Sequence, residues 1–235
     1  MTGTQQTVDP AKLGELVNAV VALGPQPRER RWGSLSLCIV DAVWSIGAHY
    51  DNVVVPLVRN LARKFGVEQP TISLDQPIDV DPLPLTRLAD VTVGELIRLT
   101  NGQNTSTRGG IRKADAVLRH LHAFRAHGVN EIADAIVLFG DEERFAAVNA
   151  DLRRIPGEGA HAVRRNYLWM LIGQDDLIKP DRMVLRWFEH HGVVVDPIRA
   201  RHLIDALVPA VSVELKRPIT AWEIDHAPWN AGRGM

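Results

Sequence analysis

Residues 152–186, LRRIPGEGAHAVRRNYLWMLIGQDDLIKPDRMVLR, decide the fold. The pattern predicts a helix that ends near Arg153, a tight turn, and a second helix that begins at about Ala160. Gly157 and Gly159 let the backbone of the turn adopt positive φ angles and approach a ligand closely. Free N–H groups at the start of the second helix then form an anion site that fits a phosphate. An ordinary turn between two helices explains the same residues, so the rest of the sequence has to distinguish it from an anion site.

Helical periodicity extends over most of the remaining chain. Residues 34–48 are apolar almost all round, which predicts a helix near the centre of the fold, whereas the proline-rich residues 70–84 predict a loop. Asp9 and Pro10 are typical of a helix start. The sequence therefore predicts an all-α protein of about ten helices. Further helices are predicted at 51–65, 92–100, 112–127, 130–138, 141–153, 160–172, 181–191, 197–215 and 220–227.

The composition excludes several classes of protein. The chain has 235 residues, of which 46% are hydrophobic and 23% charged, as in a soluble globular protein. It has no apolar run long enough to span a membrane, and its first ten residues lack the features of a signal peptide. A single cysteine, Cys38, excludes an internal disulfide, a zinc ribbon and a four-cysteine iron–sulfur cluster. A location in the cytoplasm is expected, and the His120/His122 and His190/His191 pairs lack the spacing of a metal site.

Arginine strongly outnumbers lysine, with 22 Arg and 5 Lys, although the net charge is only −1. A GC-rich genome explains this usage, and so does contact with phosphate, which guanidinium groups bind in bidentate fashion. The basic residues form two local clusters, as expected for one DNA-facing surface. For Arg119 and Arg165, however, a solvated helix face is the preferred interpretation. The clusters are Arg108, Arg112, Lys113 and Arg119, and Arg153, Arg154, Arg164 and Arg165.

Two blocks, residues 155–163 (IPGEGAHAV) and residues 181–186 (DRMVLR), have a characteristic order and separation. In both respects the chain resembles the helix-hairpin-helix (HhH-GPD) DNA glycosylase superfamily, the endonuclease III-like and alkyladenine-glycosylase-like enzymes. Three further segments resemble the superfamily more weakly, so that the likeness covers most of the chain from about residue 35. They are Gly110–Ala114, Trp44–Asp51 and Ile224–Trp229.

The resemblance implies a two-lobed all-α fold and a monofunctional DNA glycosylase that flips and excises a damaged base in base excision repair. Residues 30–173 would form a central helical lobe containing the helix-hairpin-helix at about 142–172. Residues 1–29 and 174–235 would form the second lobe, with Asp181 at the seam. The implied partner is double-stranded DNA carrying a damaged or mismatched base. No cofactor and no metal are expected, and the protein would be a monomer located with the nucleoid.

Asp181 and His161 are the candidate catalytic residues. Breaking a glycosidic bond builds positive charge on the sugar, which a fixed carboxylate stabilises. An acid at a helix start that favours the helix dipole is the other interpretation of Asp181. His161 stands where bifunctional members keep a Schiff-base lysine, so it could act as an acid or base, contact a phosphate or face solvent. Base removal without strand cleavage is therefore expected.

The resemblance also suggests binding residues. For the aromatic residues among them, a place in the hydrophobic core is the alternative to a base pocket, because aromatic residues on helices more often belong to a core. Phosphate contacts are expected from Gly157, Gly159, Ala160, Arg153, Arg154 and Arg164; a base pocket from Tyr50, Trp44 and His49; and a DNA-contacting loop from Asn104, Arg108, Arg112 and Lys113.

Departures from the superfamily pattern keep two other functions open. Glu158 replaces an apolar residue and would repel DNA unless it turned away, and Ala162 replaces the usual Thr. These changes, with His161, favour a catalytically weak or inactive module that binds DNA or abasic sites. The net charge of −1 favours a helical interaction protein without a role on DNA.

Overall fold

The computed structural model describes residues 9–158 and 162–235. This part of the chain contains eleven α-helices and one two-stranded sheet, so the helical fold class predicted from the sequence is confirmed. In chain order the elements are α1 (Pro10–Ala22), β1 (Arg30–Trp32), α2 (Leu35–Trp44), α3 (Val55–Lys64), β2 (Thr71–Ser73), α4 (Val93–Leu99), α5 (Lys113–Ala126), α6 (Ile132–Val137), α7 (Glu142–Arg153), α8 (Val163–Ile172), α9 (Arg182–His190), α10 (Pro197–Leu215) and α11 (Ala221–Gly232).

The chain folds into two compact units, one of which is built from both ends of the sequence. We call Glu29–Gln174 the central unit, and we call Met1–Arg28 with Asp175–Met235 the terminal unit. The central unit therefore holds α2 to α8 and the sheet, whereas the terminal unit holds α1 and α9 to α11.

Helix α2 forms the middle of the central unit. All ten of its residues are buried, and it packs against α5, α8 and α3. Its neighbours cover every side of it, which is the reason that apolar residues occur all round the helix. Beside it, the fully buried Trp169 of α8 packs edge-on against Phe124 of α5, with 5.5 Å between the ring centres.

The small sheet is the element that the sequence did not predict. Strand β1 pairs antiparallel with β2, so that Arg30 lies opposite Ser73 and Trp32 opposite Thr71. Strand β2 falls inside residues 70–84, which the proline content predicted as loop. Each strand has three residues, which is too short for the alternation of polar and apolar side chains that identifies a strand.

The terminal unit has a hydrophobic core of its own, built from α1, α9, α10 and α11. Asp9 accepts a hydrogen bond from the Ala11 N–H (3.2 Å) and Pro10 occupies the first turn, as predicted for the start of α1. Helix α11 approaches α9 so closely that a Cβ on Gly232 would overlap the carbonyl of Met183. This approach brings side chains of α11 next to the first turn of α9.

Within the described ranges, no helix combines the length and the apolar character needed to cross a membrane.

Candidate functional site

The turn between α7 and α8 depends on Gly157. Its φ angle is +84°, and a Cβ at this position would overlap the side chain of Thr105. The Thr105 hydroxyl donates a hydrogen bond to the Pro156 carbonyl (3.4 Å) and accepts one from the Ile111 N–H (3.1 Å). The loop before α5 thus packs against the turn and forms a hydrogen bond with it through Thr105. Sequence reasoning missed Thr105, because a buried threonine 52 positions away has no local pattern that marks it.

The second helix begins later than predicted. The described part of α8 starts at Val163, and Ala162 precedes it with a left-handed φ of 52°. Gly159, Ala160 and His161, which we expected to bind phosphate or to take part in catalysis, lie outside the described residues.

Three arginines near the turn differ in where they lie. Arg153 and Arg154 are exposed, and Arg154 forms an ion pair with Asp151 one turn earlier. Arg164, by contrast, is only 1% exposed. Its guanidinium lies beside Gly157 inside the unit, so the structure does not place Arg164 at the surface, where the predicted phosphate contact would be made.

Glu158 turns into the protein. Its side chain is buried, and its Oε1 lies 3.3 Å from Nε of Arg165. Burial raises the pKa of Glu158 to about 7, while the charges of Arg165 and Arg164 and the Arg165 N–H act in the opposite direction. The carboxylate that would repel a phosphate therefore lies inside the unit, held by the first turn of α8.

Three of the four predicted DNA-contacting residues before and at the start of α5 are exposed, and the fourth is buried. Asn104, Arg108 and Arg112 are exposed, and Arg112 donates hydrogen bonds to the Gly102 carbonyl and to Oδ1 of Asn104. Lys113 is only 2% exposed, so the structure does not place its side chain at the surface, where the predicted DNA contact would be made. Its Nζ donates to the carbonyls of Trp44 (3.0 Å) and Ile46 (2.8 Å) and to Oε1 of Gln103 (3.2 Å). Lys113 thereby satisfies carbonyls that the end of α2 leaves without a helical partner.

The three predicted base-pocket residues do not share one environment. Trp44 is fully buried and donates from Nε1 to Oδ1 of Asn101 (3.0 Å), so the alternative of a core residue is correct for it. His49 is exposed, and its Nδ1 accepts a hydrogen bond from the Asn52 N–H (3.4 Å). Tyr50 points to a buried carboxylate, that of Asp41, and donates to its Oδ2 (2.9 Å).

Asp41 is the centre of a polar cluster that sequence reasoning missed. Its Oδ2 also accepts a hydrogen bond from Nε1 of Trp32 (2.7 Å), and Asp41 itself is 0% exposed. Tyr167 of α8 belongs to the same cluster, since it forms hydrogen bonds with Tyr50 and Asp41. Burial, the Asp41 charge and these hydrogen bonds raise the pKa of Tyr167 well above its ordinary value. Asp41 lies in an otherwise apolar helix, where its type alone did not mark it as a site residue.

In the terminal unit, Asp181 occupies the N-cap of α9. Its Oδ1 accepts a hydrogen bond from the Met183 N–H (2.8 Å), and its Oδ2 accepts one from Nε1 of Trp229 (3.2 Å). The side chain is half-buried. The helix-start acid considered from the sequence is thus present, and the indole bond also fixes the orientation of the carboxylate.

A second carboxyl group, Asp225 of α11, faces Asp181. Burial first, and the Asp181 charge next, raise the pKa of Asp225 to about 7; the Lys179 N–H and the Lys179 charge partly oppose this. In such a pair the two acids can differ in protonation, because the member with the raised pKa keeps its proton while the other is ionised. The sequence contained Asp225 only as part of a weak resemblance and did not indicate the pairing.

Helix α11 also carries a stack of rings beside Asp181. His226 lies between Trp222 and Trp229, at 4.6 Å and 5.7 Å between ring centres and nearly parallel to both. Arg28 lies over Trp222 (4.7 Å) and Arg233 over Trp229 (4.6 Å). The stack holds the indole whose N–H bonds Asp181.

The raised pKa of Asp225 predicts how stability depends on pH. The unfolded chain loses this proton near pH 3.8, whereas the folded protein keeps it to about pH 7. Between these values the folded state binds more protons, so the free energy of unfolding falls as pH rises. Asp225→Asn should remove this part of the decline. The free energy of unfolding of the variant, taken relative to that of the wild type, should therefore increase by about 2–4 kcal/mol from pH 4.5 to pH 8.

Urea denaturation at several pH values measures this effect. The exposed Asp176→Asn serves as the control and should leave the wild-type pH dependence unchanged. The raised pKa of Glu158 also makes the free energy of unfolding fall as pH rises, and the Asp225→Asn variant retains this contribution. Parallel pH profiles of wild type and Asp225→Asn would show that the carboxyl group is not perturbed.

No group of three or more His, Cys, Asp or Glu residues in the described ranges is arranged to hold a metal ion.

Comparison with known proteins places the chain in a family. No curated protein and no solved structure matches it significantly. A family model matches residues 11–233, nearly the whole chain. The chain therefore belongs to the family described as "Domain of unknown function (DUF8548)".

Proposed function

We propose that the chain is a monofunctional DNA glycosylase with the two-lobed HhH-GPD fold, which flips a damaged base out of double-stranded DNA and hydrolyses its glycosidic bond. The observation that carries the proposal is the order of two features along the chain. A turn that requires glycine at Gly157 joins α7 to α8, and Asp181 then begins the next helix, as in the HhH-GPD pattern.

The turn has the properties that a phosphate contact needs. Gly157 lets the backbone of the turn pack directly against Thr105, and the exposed Arg153 and Arg154 lie just before it. Glu158, which would repel an anion, is paired inside the unit with Arg165. Phosphate contacts of this kind position DNA and do not read its sequence.

Asp181 is suited to stabilise the transition state. Base excision requires a flipped nucleotide and builds positive charge on its sugar. The carboxylate keeps a partly exposed face while the Met183 N–H and Trp229 indole fix its orientation. A protonated Asp225 leaves Asp181 without a second negative charge beside it. Binding energy is then concentrated on the charge that develops during bond cleavage.

The absence of a lysine at position 161 supports hydrolysis without strand cleavage. A Schiff base requires an amine, which His161 does not supply. Lys113 and Lys179 also carry an amine, but both are buried in the structure. We therefore expect the abasic strand to stay intact until heat or alkali is applied.

A panel of duplexes that each carry one lesion tests the proposal. Uracil, hypoxanthine, alkylated purines and 8-oxoguanine mismatches are incubated with excess protein, and alkali-labile sites are counted on gels. Base release from at least one lesion, with no covalent adduct trapped by borohydride, is expected. Release from none of them would contradict a glycosylase.

A module that binds abasic sites without cleaving bonds is the second candidate. Glu158 and Ala162, which stand where the HhH-GPD pattern has an apolar residue and a threonine, favour it. Tight binding to an abasic duplex together with a lack of base release across the panel would select this function.

Gly157→Ala should weaken DNA binding roughly tenfold and lower stability by about 1–3 kcal/mol. The added Cβ meets a left-handed backbone and the Thr105 side chain at the same time. Gly128→Ala is the matched control, since Gly128 has a φ of +73° but open space around it. The control should lose stability without losing DNA affinity. Fluorescence anisotropy at one salt concentration, with melting curves, measures both. Equal DNA affinities of the two variants would contradict a role for the turn.

A further inference from the structure

A cleft on the central unit is rich in arginine and belongs to none of the features described above. It has a volume of about 310 Å³ and lies between the C-terminal half of α3 and the start of each strand of the sheet. Arg30, Arg59 and Arg63 line it, and Glu68 is the single acid among the lining residues, so its lining carries a net charge of +2.

The two arginines of α3 are placed to share a ligand. Arg59 and Arg63 are four residues apart and therefore lie on one face of the helix. Both are exposed, and within the described residues neither forms an ion pair. Like charges at this spacing destabilise a helix slightly, and an anion between them removes that cost. Helix α3 thus presents two guanidinium groups that no carboxylate of the described residues pairs with.

Arg30 reaches the same cleft from the sheet and is held in place. Its Nη2 donates to the carbonyl of Thr71 (2.9 Å), and both Nε and Nη2 lie within hydrogen-bond distance of the Thr71 hydroxyl. A fixed guanidinium loses little side-chain freedom when it binds a ligand. The cleft combines this fixed group with the two of α3.

We propose that this cleft binds phosphate groups. Guanidinium groups match the planar geometry of phosphate oxygens and bind them in bidentate fashion. The volume is at the lower end of small-molecule sites, which span roughly 300–1,000 Å³. A ligand the size of pyrophosphate, or one backbone phosphate with its sugar, fits that space. The site does not depend on the proposed glycosylase activity, since it contains none of the residues assigned to it.

Two variants test the proposal. Arg59→Gln/Arg63→Gln removes two charges from the cleft, and Arg98→Gln/Arg125→Gln removes two exposed charges from the last turns of α4 and α5. Pyrophosphate binding is measured by calorimetry. The cleft variant should raise the dissociation constant about tenfold or more, whereas the control should change it less than about twofold. Melting curves verify that both variants fold.

A second arm identifies the source of the phosphate. Affinity for an undamaged duplex is measured against salt concentration. A DNA phosphate in the cleft predicts that the cleft variant reduces the slope of log K against log salt by about 1–2, while pyrophosphate alone binds weakly. A free phosphate ligand predicts the calorimetric effect with an unchanged slope. If the cleft variant and the control behave alike in both arms, the proposal is wrong, whether or not any base is excised.

Discussion

Asp181→Asn should slow single-turnover base release by about 10²–10³-fold, while binding of the intact duplex is retained or improves. A fixed charge that stabilises a transition state is typically worth roughly 3–4 kcal/mol. A negative charge near phosphates is unfavourable before the reaction, so its removal does not weaken ground-state binding. The measurement uses excess protein on the lesion that proves active, with affinity taken from anisotropy.

The structure makes this substitution a clean test. Asparagine caps helices as well as aspartate does, so the hydrogen bond from the Met183 N–H should persist and α9 should keep its stability. Asp196→Asn is the matched control, because Asp196 caps α10 in the same unit and accepts from the Arg199 N–H (2.8 Å). The control should release base at the wild-type rate. Release by Asp181→Asn within about threefold of wild type would reduce Asp181 to a helix cap.

The same variant has a second readout. The negative charge of Asp181 is one cause of the raised pKa of Asp225. Its removal should lower the pKa of Asp225 and narrow the pH range over which stability declines. This shift follows from the electrostatics of the terminal unit alone and does not depend on catalysis.

Lys113→Met should destabilise the protein by about 2–4 kcal/mol. Methionine fills most of the volume of the lysine stem but leaves the carbonyls of Trp44 and Ile46 without their donor. A buried acceptor that loses its partner costs about 1–3 kcal/mol. The expected result is a lower urea midpoint with an unchanged m-value.

The control for Lys113→Met is Arg108→Met in the preceding loop. Arg108 is exposed, so the control should leave stability within about 0.5 kcal/mol of wild type. A Lys113→Met variant that keeps its stability but loses DNA affinity would show that the lysine contacts DNA after all.

The order of the helices could be predicted because helical periodicity is local. Apolar side chains recur along each helix at the period of its own backbone, and glycine, proline and capping residues mark its ends. The all-round apolar pattern of residues 34–48 predicted a central helix, and all ten residues of α2 are buried. The three-residue strands contain too few positions for any such pattern.

The sequence by itself determined which residue types follow the glycine turn and that Asp181 begins a helix. Only the tertiary structure decided where the charged side chains point. Lys113, Arg164 and Glu158 read as surface residues, yet all three are buried. Lys113 lies inside because its acceptors come from Trp44, 69 positions earlier, and Asp181 meets Trp229, 48 positions later. Whether a charge is buried depends on partners that only the folded chain brings within hydrogen-bond distance, and no local pattern encodes them.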